Sequence, residues 1–579
     1  MRYHVLATDY DGTLAHDGCV SNETIEALKR FVASGRRLIL VSGRELPALK
    51  SVFSELQLFH WVVAENGGLL YEPSTDKEIL IGNPPSNTLV ETLRNRGVLS
   101  ISVGQCVVAT WSPFESIVLE SIRDLGLELQ IIFNKGAVMI LPAGVNKAFG
   151  LKKALEIMKL STKNTVGIGD AENDHAFLDV CEFSAAVSNA LPSLKEAVDL
   201  VLPTDHGKGV KSLIDQILFD DLRSLEDSLK RHRLPIATNE EGEVYLPAFG
   251  APILVCGSSG SGKSSLANMI VDSIAGQNYQ FCIVDPEGDY ESFEGAVVLG
   301  GPNSVPPIDE AIHVLEDPNA NVVVCLTGVS IPDRPQFFSQ LLAELMQLRL
   351  KTGRPHWLIL DEAHHLMPAD WLAPSDWLPN HWINVILITV KPSLLPVPVL
   401  RQVEMVAMVG GDANEAALDF AIATDIEPPQ IPPLPLTVGE VWLWQTKSPL
   451  QVVKCRAMKS DREHFRHRRK YSEGQLPPER SFYFTGPNGA LHLRAQNLIL
   501  FCQLAEGIDD QTWIYHLHKG DYSRWFREII KDATLAVETT RIAEQIELDA
   551  SESKNLILTA IKRNYTQPVT SLLTVPGAS

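Results

Sequence analysis

Two stretches of the chain carry residues that could each handle a phosphate group. Near the N-terminus, an apolar run over residues 3–8 ends in Asp9, Tyr10, Asp11 and Gly12. Much later, residues 257–264 read Gly-Ser-Ser-Gly-Ser-Gly-Lys-Ser, which is a complete P-loop. Because the two patterns differ in design, we expect two separate sites on this one chain.

The aspartate pair suits phosphoryl transfer through a covalent intermediate. Residues two apart can point the same way while the chain is extended, and Gly12 then permits a sharp turn. One carboxylate of Asp9 and Asp11 can attack phosphorus while the other handles the proton of the leaving group or of water.

Further polar residues follow other apolar runs in the first 218 residues. Ser42 and Gly43 follow the run 38–41 and offer a hydroxyl and an unhindered backbone N–H to phosphate oxygens. Lys147 opens a predicted helix, and its ammonium could neutralise a phosphoryl charge. Asp170 and Asp174 follow the run 165–168 and are carboxylates suited to a hard cation such as Mg²⁺.

The alternation of short apolar runs with amphipathic stretches predicts a multidomain α/β fold. Residues 1–218 fit an open parallel sheet with crossover helices, whose ligand site lies at the carboxyl ends of the strands. An insertion over about residues 83–141, between Ser42 and Lys147, is long enough for a small α/β cap.

At these residues the chain resembles the haloacid dehalogenase (HAD) superfamily in its Cof-like, type IIB branch. The pattern D-x-D-G-T, the serine, the isolated lysine and G-D-x-x-N-D occur in the order of that family, and residues 65–68 (Glu-Asn-Gly-Gly) match a further turn of the branch. The resemblance implies a Mg²⁺-dependent phosphatase whose cap closes over a small phosphorylated metabolite.

The resemblance also implies a role for each residue. Asp9 would be the nucleophile that forms an aspartyl-phosphate, and Asp11 the general acid and base. Ser42, Gly43 and Lys147 would bind the phosphoryl group. Mg²⁺ would be held by Asp9, the backbone carbonyl of Asp11, and Asp170, with Asp174 in support.

The P-loop lies in the context that nucleotide binding needs, between an apolar run over residues 252–256 and a predicted helix over 264–275. Its backbone N–H groups would cradle the phosphates of ATP, Lys263 would reach the β- and γ-phosphates, and Ser264 would hold Mg²⁺. A second run, 357–360, ends in Asp361, a further Mg²⁺ ligand, and Glu362, placed to polarise the attacking water. The residues predicted to bind the nucleotide are Gly257, Ser258, Ser259, Gly260, Ser261, Gly262, Lys263, Ser264 and Asp361.

The stretch 281–290 (FCIVDPEGDY) and the D-E-A-H letters at 361–364 resemble the HerA branch of the HerA/FtsK ATPases. This resemblance covers about residues 246–424. It implies a RecA-like ATPase domain, which we assign to residues 246–436. It also implies assembly into a ring, such as a hexamer. The third core strand of that family commonly ends in Thr-Gln, whereas here Thr389 is followed by Val390, and no N-terminal β-barrel is recognisable in the sequence. These two departures put DNA translocation in doubt. Arg334, Arg354 and Arg401 are three candidates for an arginine finger.

The remaining segments carry weaker patterns. Leucines at 222, 225 and 229 predict that residues 219–245 form a helical linker. Residues 437–579 read as a terminal hairpin (439–444 with 450–454) followed by a small α/β module. The basic stretch 462–470 could contact nucleic acid, although a solvated helix face or a subunit contact fits an acidic protein better.

The composition of the chain limits which binding partners and which cell compartment suit it. The formal net charge of −21 on 579 residues opposes long-range attraction to nucleic acid or anionic membrane. Eight scattered cysteines form no C-x-x-C pair, no leader sequence precedes the first apolar run, and no apolar stretch approaches about 18 residues. These observations predict a cytoplasmic protein with no membrane span.

The two sites together predict a bifunctional enzyme, a Mg²⁺-dependent phosphatase joined to an ATP-hydrolysing, HerA-like domain. Three alternatives stay open: an ATPase assembly that senses nucleotide or nucleic acid and gates the phosphatase, a polynucleotide end-processing enzyme, and a phosphatase fold used only as a scaffold. The adjacent Asp361 and Glu362 argue against a kinase partner and so against end processing.

Overall fold

The apolar runs of the sequence become the strands of two large, mainly parallel sheets in a computed structural model of the chain. The structure describes residues 1–134, 136–229, 232–258, 260–291, 293–371, 382–432, 436–447, 452–458, 476, 480–487, 489, 491–530, 532–545 and 548–565. The chain divides into two compact units, residues 1–458 and 459–579, and both large sheets lie in the first. No helix among the described residues has the length and apolar character that crossing a membrane requires.

Residues 1–220 form the N-terminal domain. Its strands are β1 (Val5–Asp9), β2 (Arg37–Val41), β3 (Trp61–Ala64), β4 (Leu69–Glu72), β5 (Lys77–Leu80), β6 (Ser102–Val103), β7 (Val108–Trp111), β8 (Leu129–Asn134), β9 (Ala137–Pro142), β10 (Thr165–Gly169), β11 (Phe183–Ala186) and β12 (Leu200–Val201). Its helices are α1 (Asn22–Ala33), α2 (Leu46–Val52), α3 (Asn87–Asn95), α4 (Glu115–Asp124), α5 (Lys147–Ile157), α6 (His175–Val180), α7 (Pro192–Ala197) and α8 (His206–Asp220).

Eight of the described strands of this domain form one sheet in the order β12-β11-β10-β1-β2-β3-β4-β5, in which neighbouring strands pair in parallel except for the antiparallel pairs β3–β4 and β4–β5. Strands β1, β2, β3, β10 and β11 are almost completely buried, which explains why they read as continuous apolar runs. A separate antiparallel sheet, β6-β7-β9-β8, packs against α3 and α4 and forms the cap. The α/β fold with an inserted cap is therefore confirmed.

The second domain, called here the P-loop domain, contains β13 (Leu234–Asn239), β14 (Gly242–Leu246), β15 (Ile253–Cys256), β16 (Phe281–Asp285), β17 (Val297–Gly300), β18 (Val322–Cys325), β19 (Trp357–Leu360), β20 (Val385–Thr389), β21 (Met405–Val409), β22 (Glu440–Gln445) and β23 (Val452–Ala457). Its helices are α9 (Lys263–Gly276), α10 (Ile308–Leu315), α11 (Arg334–Thr352), α12 (Val397–Leu400) and α13 (Ala413–Thr424).

The described strands of the P-loop domain form a sheet in the order β14-β13-β23-β22-β21-β15-β20-β19-β16-β18-β17. Alternate residues of its central strands enter two cores: Leu254 and Cys256 pack on one face, and Ile253 and Val255 on the other. Strand β20 lies between the P-loop strand β15 and strand β19, which precedes Asp361.

Two predicted boundaries are wrong. The helical linker over 219–245 is a short 3₁₀ turn over residues 223–228 followed by β13 and β14, because Asp221 and Leu222 both adopt left-handed backbone angles and end α8. The terminal hairpin of the predicted 437–579 module is β22–β23, and it joins the P-loop domain sheet through β21 and β13. The first compact unit accordingly extends to residue 458.

The second unit contains a hairpin of β24 (Phe482–Phe484) and β25 (Leu493–Ala495) and is otherwise mainly helical. Its helices are α14 (Leu498–Gly507), α15 (Asp510–His518), α16 (Asp521–Glu528), α17 (Ala533–Ala543) and α18 (Ala550–Tyr565). The aromatic residues of this region form its core, and His516 bonds to Asp521 and to the backbone N–H of Thr485. The basic stretch 462–470 lies outside the described residues.

The two large sheets meet at the starts of their strands through buried polar contacts. The Tyr279 hydroxyl, just before β16, donates to the carboxylate of Glu182, just before β11, at 2.7 Å. The same carboxylate lies 3.1 Å from the Arg2 guanidinium, which stacks on the Phe249 ring at 3.9 Å. Arg354 donates to the carbonyl oxygen of Lys159 at 2.7 Å.

A neutral histidine completes this contact. His356, just before β19, accepts the N–H of Gln280 at Nδ1, so its Nε2 carries the proton and donates to the Asn164 side chain at 2.9 Å. Burial, followed by the positive charge of Arg354, lowers the pKa of His356 well below its usual value. Asn164 immediately precedes β10, so the contact joins the starts of β10 and β19.

We expect Tyr279→Phe to lower the free energy of unfolding by about 1–2 kcal/mol, because the variant loses a buried hydrogen bond to a charged group. Chemical denaturation of the full chain measures the change. Tyr245→Phe is the matched control, since the Tyr245 hydroxyl also bonds a glutamate, Glu243, but lies on the surface. Equal stability of the two variants would contradict a structural role for the Tyr279 hydroxyl.

Candidate phosphoryl-transfer and nucleotide sites

Asp9 and Lys147 form the centre of the site in the N-terminal domain. Asp9 is the last residue of β1, and Lys147 is the first residue of α5, whose N-terminus is capped by the Asn146 side chain. The ammonium of Lys147 lies 2.5 Å from Asp9 and 2.6 Å from Asp174. All three side chains are at most 5% exposed, so these contacts act in a region screened from water.

Asp170 and Asp174 approach Asp9 because β10 pairs with β1 in parallel and ends beside it. One oxygen of Asp174 accepts the backbone N–H groups of Asp170 and Ala171, at 2.8 and 2.9 Å. Asp170 accepts the hydroxyl of Thr13 at 2.8 Å. The sequence analysis assigned no role to Thr13, although it belongs to the same D-x-D-G-T pattern.

The three carboxylates form a cluster that fits a divalent cation. One oxygen each of Asp9, Asp170 and Asp174 lies within 4.8 Å of the others. Carboxylate oxygens are the ligands that Mg²⁺ takes, so the chemistry of this donor set agrees with the predicted metal. Burial and the neighbouring Asp174 charge raise the pKa of Asp9, whereas Lys147 acts in the opposite direction.

Lys147 stays protonated in this environment. Burial alone would lower the pKa of its ammonium, but the charges of Asp174 and Asp9 outweigh it and raise the pKa. The ammonium is therefore a fixed positive charge between two carboxylates. A phosphoryl group bound to Lys147, as the sequence predicts, would share this charge with Asp9 and Asp174.

Asp11 is held apart from the cluster by an arginine that sequence reasoning gave no role. Arg44 donates two hydrogen bonds to the Asp11 carboxylate, at 2.6 and 2.7 Å. This two-point contact fixes the plane of the carboxylate. The position of Arg44, directly after Ser42 and Gly43 in the same turn, was the available signal.

The turn after β2 brings Ser42 and Gly43 beneath the cap. Ser42 is fully buried, and its hydroxyl oxygen accepts the N–H of Arg44 at 3.2 Å. A Cβ atom on Gly43 would lie 3.4 Å from the Asn173 amide nitrogen and 3.7 Å from the Met139 side chain of the cap. A carbon at this position would be in ordinary van der Waals contact with Met139, so the turn and the cap lie close together.

The P-loop has the backbone geometry that its glycines predict. Gly257, Gly260 and Gly262 all have positive φ, and a Cβ on Gly257 would lie 2.2 Å from the Val409 carbonyl oxygen. Lys263 begins α9 and donates to the carbonyl oxygen of Ser258 at 3.2 Å. Ser261 and Ser264 are half-buried in the same loop and helix start, and Ser259 lies outside the described residues.

Asp361 follows β19 and is almost completely buried, at 2% exposure. Burial raises the pKa of its carboxyl, and the charges of Asp285, Asp289 and Glu362 raise it further. Asp285 accepts the backbone N–H groups of the four residues from Glu287 to Tyr290, at 2.6 to 3.2 Å. This explains the D-P-E-G-D-Y turn as a loop wrapped around one carboxylate.

The remaining predicted residues are Glu362 and the three candidate arginine fingers. Glu362 has a left-handed backbone, φ 38°, and its carboxylate lies 3.5 Å from His364, whose ring also contacts the Thr389 hydroxyl at 3.3 Å. One of the three candidate arginine fingers, Arg354, is wrong for that role, because it is fully buried in the contact between the domains and both of its terminal nitrogens donate there. Arg334 is largely buried and donates from Nε to the carbonyl oxygen of Val329. Arg401 is exposed.

Comparison with known proteins agrees with this geometry. The family model described as haloacid dehalogenase-like hydrolase matches residues 6–97 and 119–214. Phosphoglycolate phosphatase 2 of Saccharolobus solfataricus is 30% identical over 227 residues, 37% of this chain and 92% of that protein. The chain belongs to the haloacid dehalogenase-like hydrolases. Phosphoglycolate phosphatase of Sulfolobus acidocaldarius is 28% identical over 224 residues, 38% of this chain and 98% of that protein.

A second family model, described as the central domain of helicase HerA, matches residues 238–345. The match runs from the last residues of β13 into the middle of α11 and therefore contains the P-loop and the D-P-E-G-D-Y turn, but it stops before Asp361. The hydrolase domain is thus followed in the same chain by a HerA-like domain, as the resemblance in the sequence indicates.

We expect Lys147→Ala to destabilise the hydrolase domain by about 3–5 kcal/mol, because it leaves the buried Asp9 and Asp174 carboxylates without their cation. Thermal or chemical unfolding of the full chain measures the loss. Lys153→Ala is the control on the same helix, where the exposed lysine pairs with the exposed Glu156, and it should change stability by about 0.5 kcal/mol or less. A similar small effect at Lys147 would mean that the three side chains do not interact as described.

Proposed function

We propose that the hydrolase domain is a Mg²⁺-dependent phosphomonoester hydrolase that works through an aspartyl-phosphate at Asp9. The observation that carries this proposal is the buried cluster of Asp9, Asp170, Asp174 and Lys147 at the carboxyl ends of β1 and β10. Ser42, Gly43 and Lys147 bind the phosphoryl oxygens in this proposal. Asp9, the Asp11 carbonyl, Asp170 and Asp174 hold or support Mg²⁺, which would add positive charge against the phosphate.

The proposed reaction uses the two aspartates in turn. A carboxylate oxygen of Asp9 attacks phosphorus and forms a P–O bond while the bond to the leaving alcohol breaks, and Asp11 gives its proton to the leaving oxygen. Asp11 then takes a proton from water, whose oxygen attacks the same phosphorus and returns Asp9 as a free carboxylate. The Lys147 charge stabilises the carboxylate of Asp9 and the charge on the transferred group, and the two bonds from Arg44 orient Asp11.

The proposed substrate is a small phosphorylated metabolite. Met139 of the cap lies against the Gly43 turn, so the space for a leaving group is limited. The relatives with the highest similarity quoted above are named for phosphoglycolate, which makes phosphoglycolate the first compound to test.

We expect Asp9→Asn to reduce Mg²⁺-dependent hydrolysis of p-nitrophenyl phosphate and phosphoglycolate by about three orders of magnitude or more, because an amide cannot act as the nucleophile. Release of inorganic phosphate measures the rate. Asp17→Asn is the control, because Asp17 is exposed on the loop after β1 and should leave the rate unchanged. Wild-type turnover in Asp9→Asn would refute the assignment.

We propose ATP hydrolysis as a second activity, at the P-loop of the HerA-like domain. The observation that favours it is the glycine loop with positive φ at Gly257, Gly260 and Gly262, followed by Lys263, with Asp361 two strands away in the same sheet. In this proposal the P-loop residues and Lys263 bind the phosphates, Ser264 and Asp361 hold Mg²⁺, and Glu362 polarises the attacking water. The same proposal includes a homo-oligomeric ring, as in the family resemblance, with the exposed Arg401 as a candidate arginine finger.

We expect Lys263→Ala to abolish ATP hydrolysis while phosphoglycolate hydrolysis stays within about twofold of wild type, because the two sites lie in different sheets. Lys351→Ala, on an exposed position of α11, is the control and should keep both activities. Both activities are measured on the same preparation, and unchanged ATPase activity in Lys263→Ala would contradict the second proposal.

One panel of substrates separates the remaining alternatives. Phosphate release is compared for sugar phosphates, nucleotides and oligonucleotides phosphorylated at either end, with and without ATP. Preference for small esters favours the bifunctional enzyme, preference for oligonucleotides favours end processing, and a phosphatase rate that depends on ATP favours a gated assembly. Native mass measurements with ATP present test the ring.

A further inference from the structure

The turn Glu65-Asn66-Gly67 follows β3 and binds the backbone of the predicted phosphate-binding turn. The N–H of Glu65 donates to the carbonyl oxygen of Arg44 at 2.9 Å, and the N–H of Asn66 donates to that of Ser42 at 3.1 Å. Glu65 and Asn66 both have positive φ, 51° and 53°. An unusual backbone of this kind persists only where surrounding contacts hold it, so this turn is firmly connected to Ser42 and Arg44.

The side chain of Glu65 binds the cap. Its carboxylate accepts three backbone N–H groups from the loop between β6 and β7: Gln105 at 3.0 Å, Cys106 at 2.7 Å and Val107 at 3.2 Å. Glu65 is only 1% exposed. A carboxylate this deeply buried depends on protein donors, and here all three of these donors belong to the cap.

The cap loop is shaped to receive this carboxylate. A Cβ on Gly104 would lie 2.6 Å from an oxygen of Glu65, although the backbone of Gly104 is not left-handed, so glycine is needed there for space alone. The Cys106 sulfur fits against Gly68 and Gly82, where added Cβ atoms would lie 2.5 and 2.2 Å from it. Core and cap are thus complementary around one charge.

The same turn touches the helix that carries Lys147. A Cβ on Gly67 would lie 1.9 Å from the carbonyl oxygen of Asn146, the residue that caps α5. The Asn66 side chain also accepts a hydrogen bond from Asn173 at 3.1 Å, next to Asp174. One three-residue turn therefore contacts the phosphate-binding turn, the start of α5, the Asp170–Asp174 turn and the cap.

We propose that Glu65 is a latch: its carboxylate holds the cap closed over the site and fixes the position of the cap relative to Ser42, Arg44 and Lys147. Its effect on catalysis rests on the proposed phosphatase function. With the latch closed, Met139 of the cap lies against Gly43 and bounds the leaving-group space. When the cap opens, the carboxylate exchanges the three amides for water, so closure recovers three hydrogen bonds to a charged acceptor. Glu65 is a positioning residue, because it acts through the cap loop and the phosphate-binding turn.

The first test measures the cap directly, by hydrogen exchange of the amides of residues 104–107 in the full chain. Glu65→Ala should speed their exchange by about tenfold or more, since one hydrogen bond to a charged group corresponds to about that factor. Gly104→Ala should do the same from the cap side without altering the core. Glu78→Ala is the matched control, because Glu78 bonds the exposed Gln105 side chain of the same loop rather than its backbone, and its other partner, Lys50, lies in the core domain.

The second test separates positioning from catalysis by kinetics on phosphoglycolate. We expect Glu65→Ala and Gly104→Ala to raise KM by about tenfold with a smaller change in kcat, and Glu65→Gln to fall between them and wild type, because one amide oxygen keeps part of the contact. The loss should be smaller for p-nitrophenyl phosphate, which has the bulkier leaving group. Glu78→Ala should match wild type within about twofold.

The outcomes distinguish the latch from the proposed function. Unchanged exchange at residues 104–107 in Glu65→Ala and Gly104→Ala would overturn the latch, whatever the activity. Faster exchange with no phosphatase activity in the wild-type protein would keep the latch and reject the proposed function. If Glu65→Ala fails to fold, the same exchange measurement on Glu65→Gln and Gly104→Ala tests the latch instead. ATP hydrolysis by each variant then shows whether the P-loop domain is still folded.

Discussion

The hydrogen bond between His356 and Asn164 fixes how the two predicted sites are arranged. It joins the start of β19 to the start of β10, and the Tyr279–Glu182 contact does the same for β16 and β11. Catalytic side chains in open parallel sheets lie at the carboxyl ends of the strands. Because the sheets meet at the opposite ends, the Asp9 cluster and Asp361 are each separated from the junction by the length of a strand, about 17 Å for five residues.

The residues at strand ends could be predicted from sequence because the signal is local. An apolar run of four or five residues followed at once by a polar group marks both the strand and its functional end, as at Asp9, Ser42, Asp170 and Asp361. The P-loop glycines carry their backbone requirement in their residue type. Sheet pairing then brings Asp9 and Asp170 together, and this step needs only the general rule that such strands share one edge.

The contacts between distant segments could not be predicted in the same way. Asn164 and His356 are 192 residues apart, and neither residue type marks a domain contact. The leucines of the predicted linker do pack on the N-terminal core, but the left-handed angles at Asp221 and Leu222 replace the expected helix with a short turn. The Asn239 side chain accepts the N–H groups of Glu241 and Gly242 and so stabilises the turn between β13 and β14. An asparagine followed by a nearby glycine is typical of such a turn, but the helical spacing of the leucines favours a helix.

The arrangement of the junction limits how ATP could act on the hydrolase domain. The junction buries Glu182 and Arg2 of the hydrolase domain against Tyr279 and Phe249 of the P-loop domain, and separating the domains would break the Tyr279–Glu182 hydrogen bond and the stacking of Arg2 on Phe249. The cap lies at the other end of the hydrolase sheet, and it contacts the core through Glu65 after β3, through Met139 at Gly43 and through Cys106 at Gly68 and Gly82. None of these cap contacts involves a residue of the junction. A gating mechanism that starts at the P-loop would therefore have to act through the junction and then across the length of the hydrolase strands before it reached the cap.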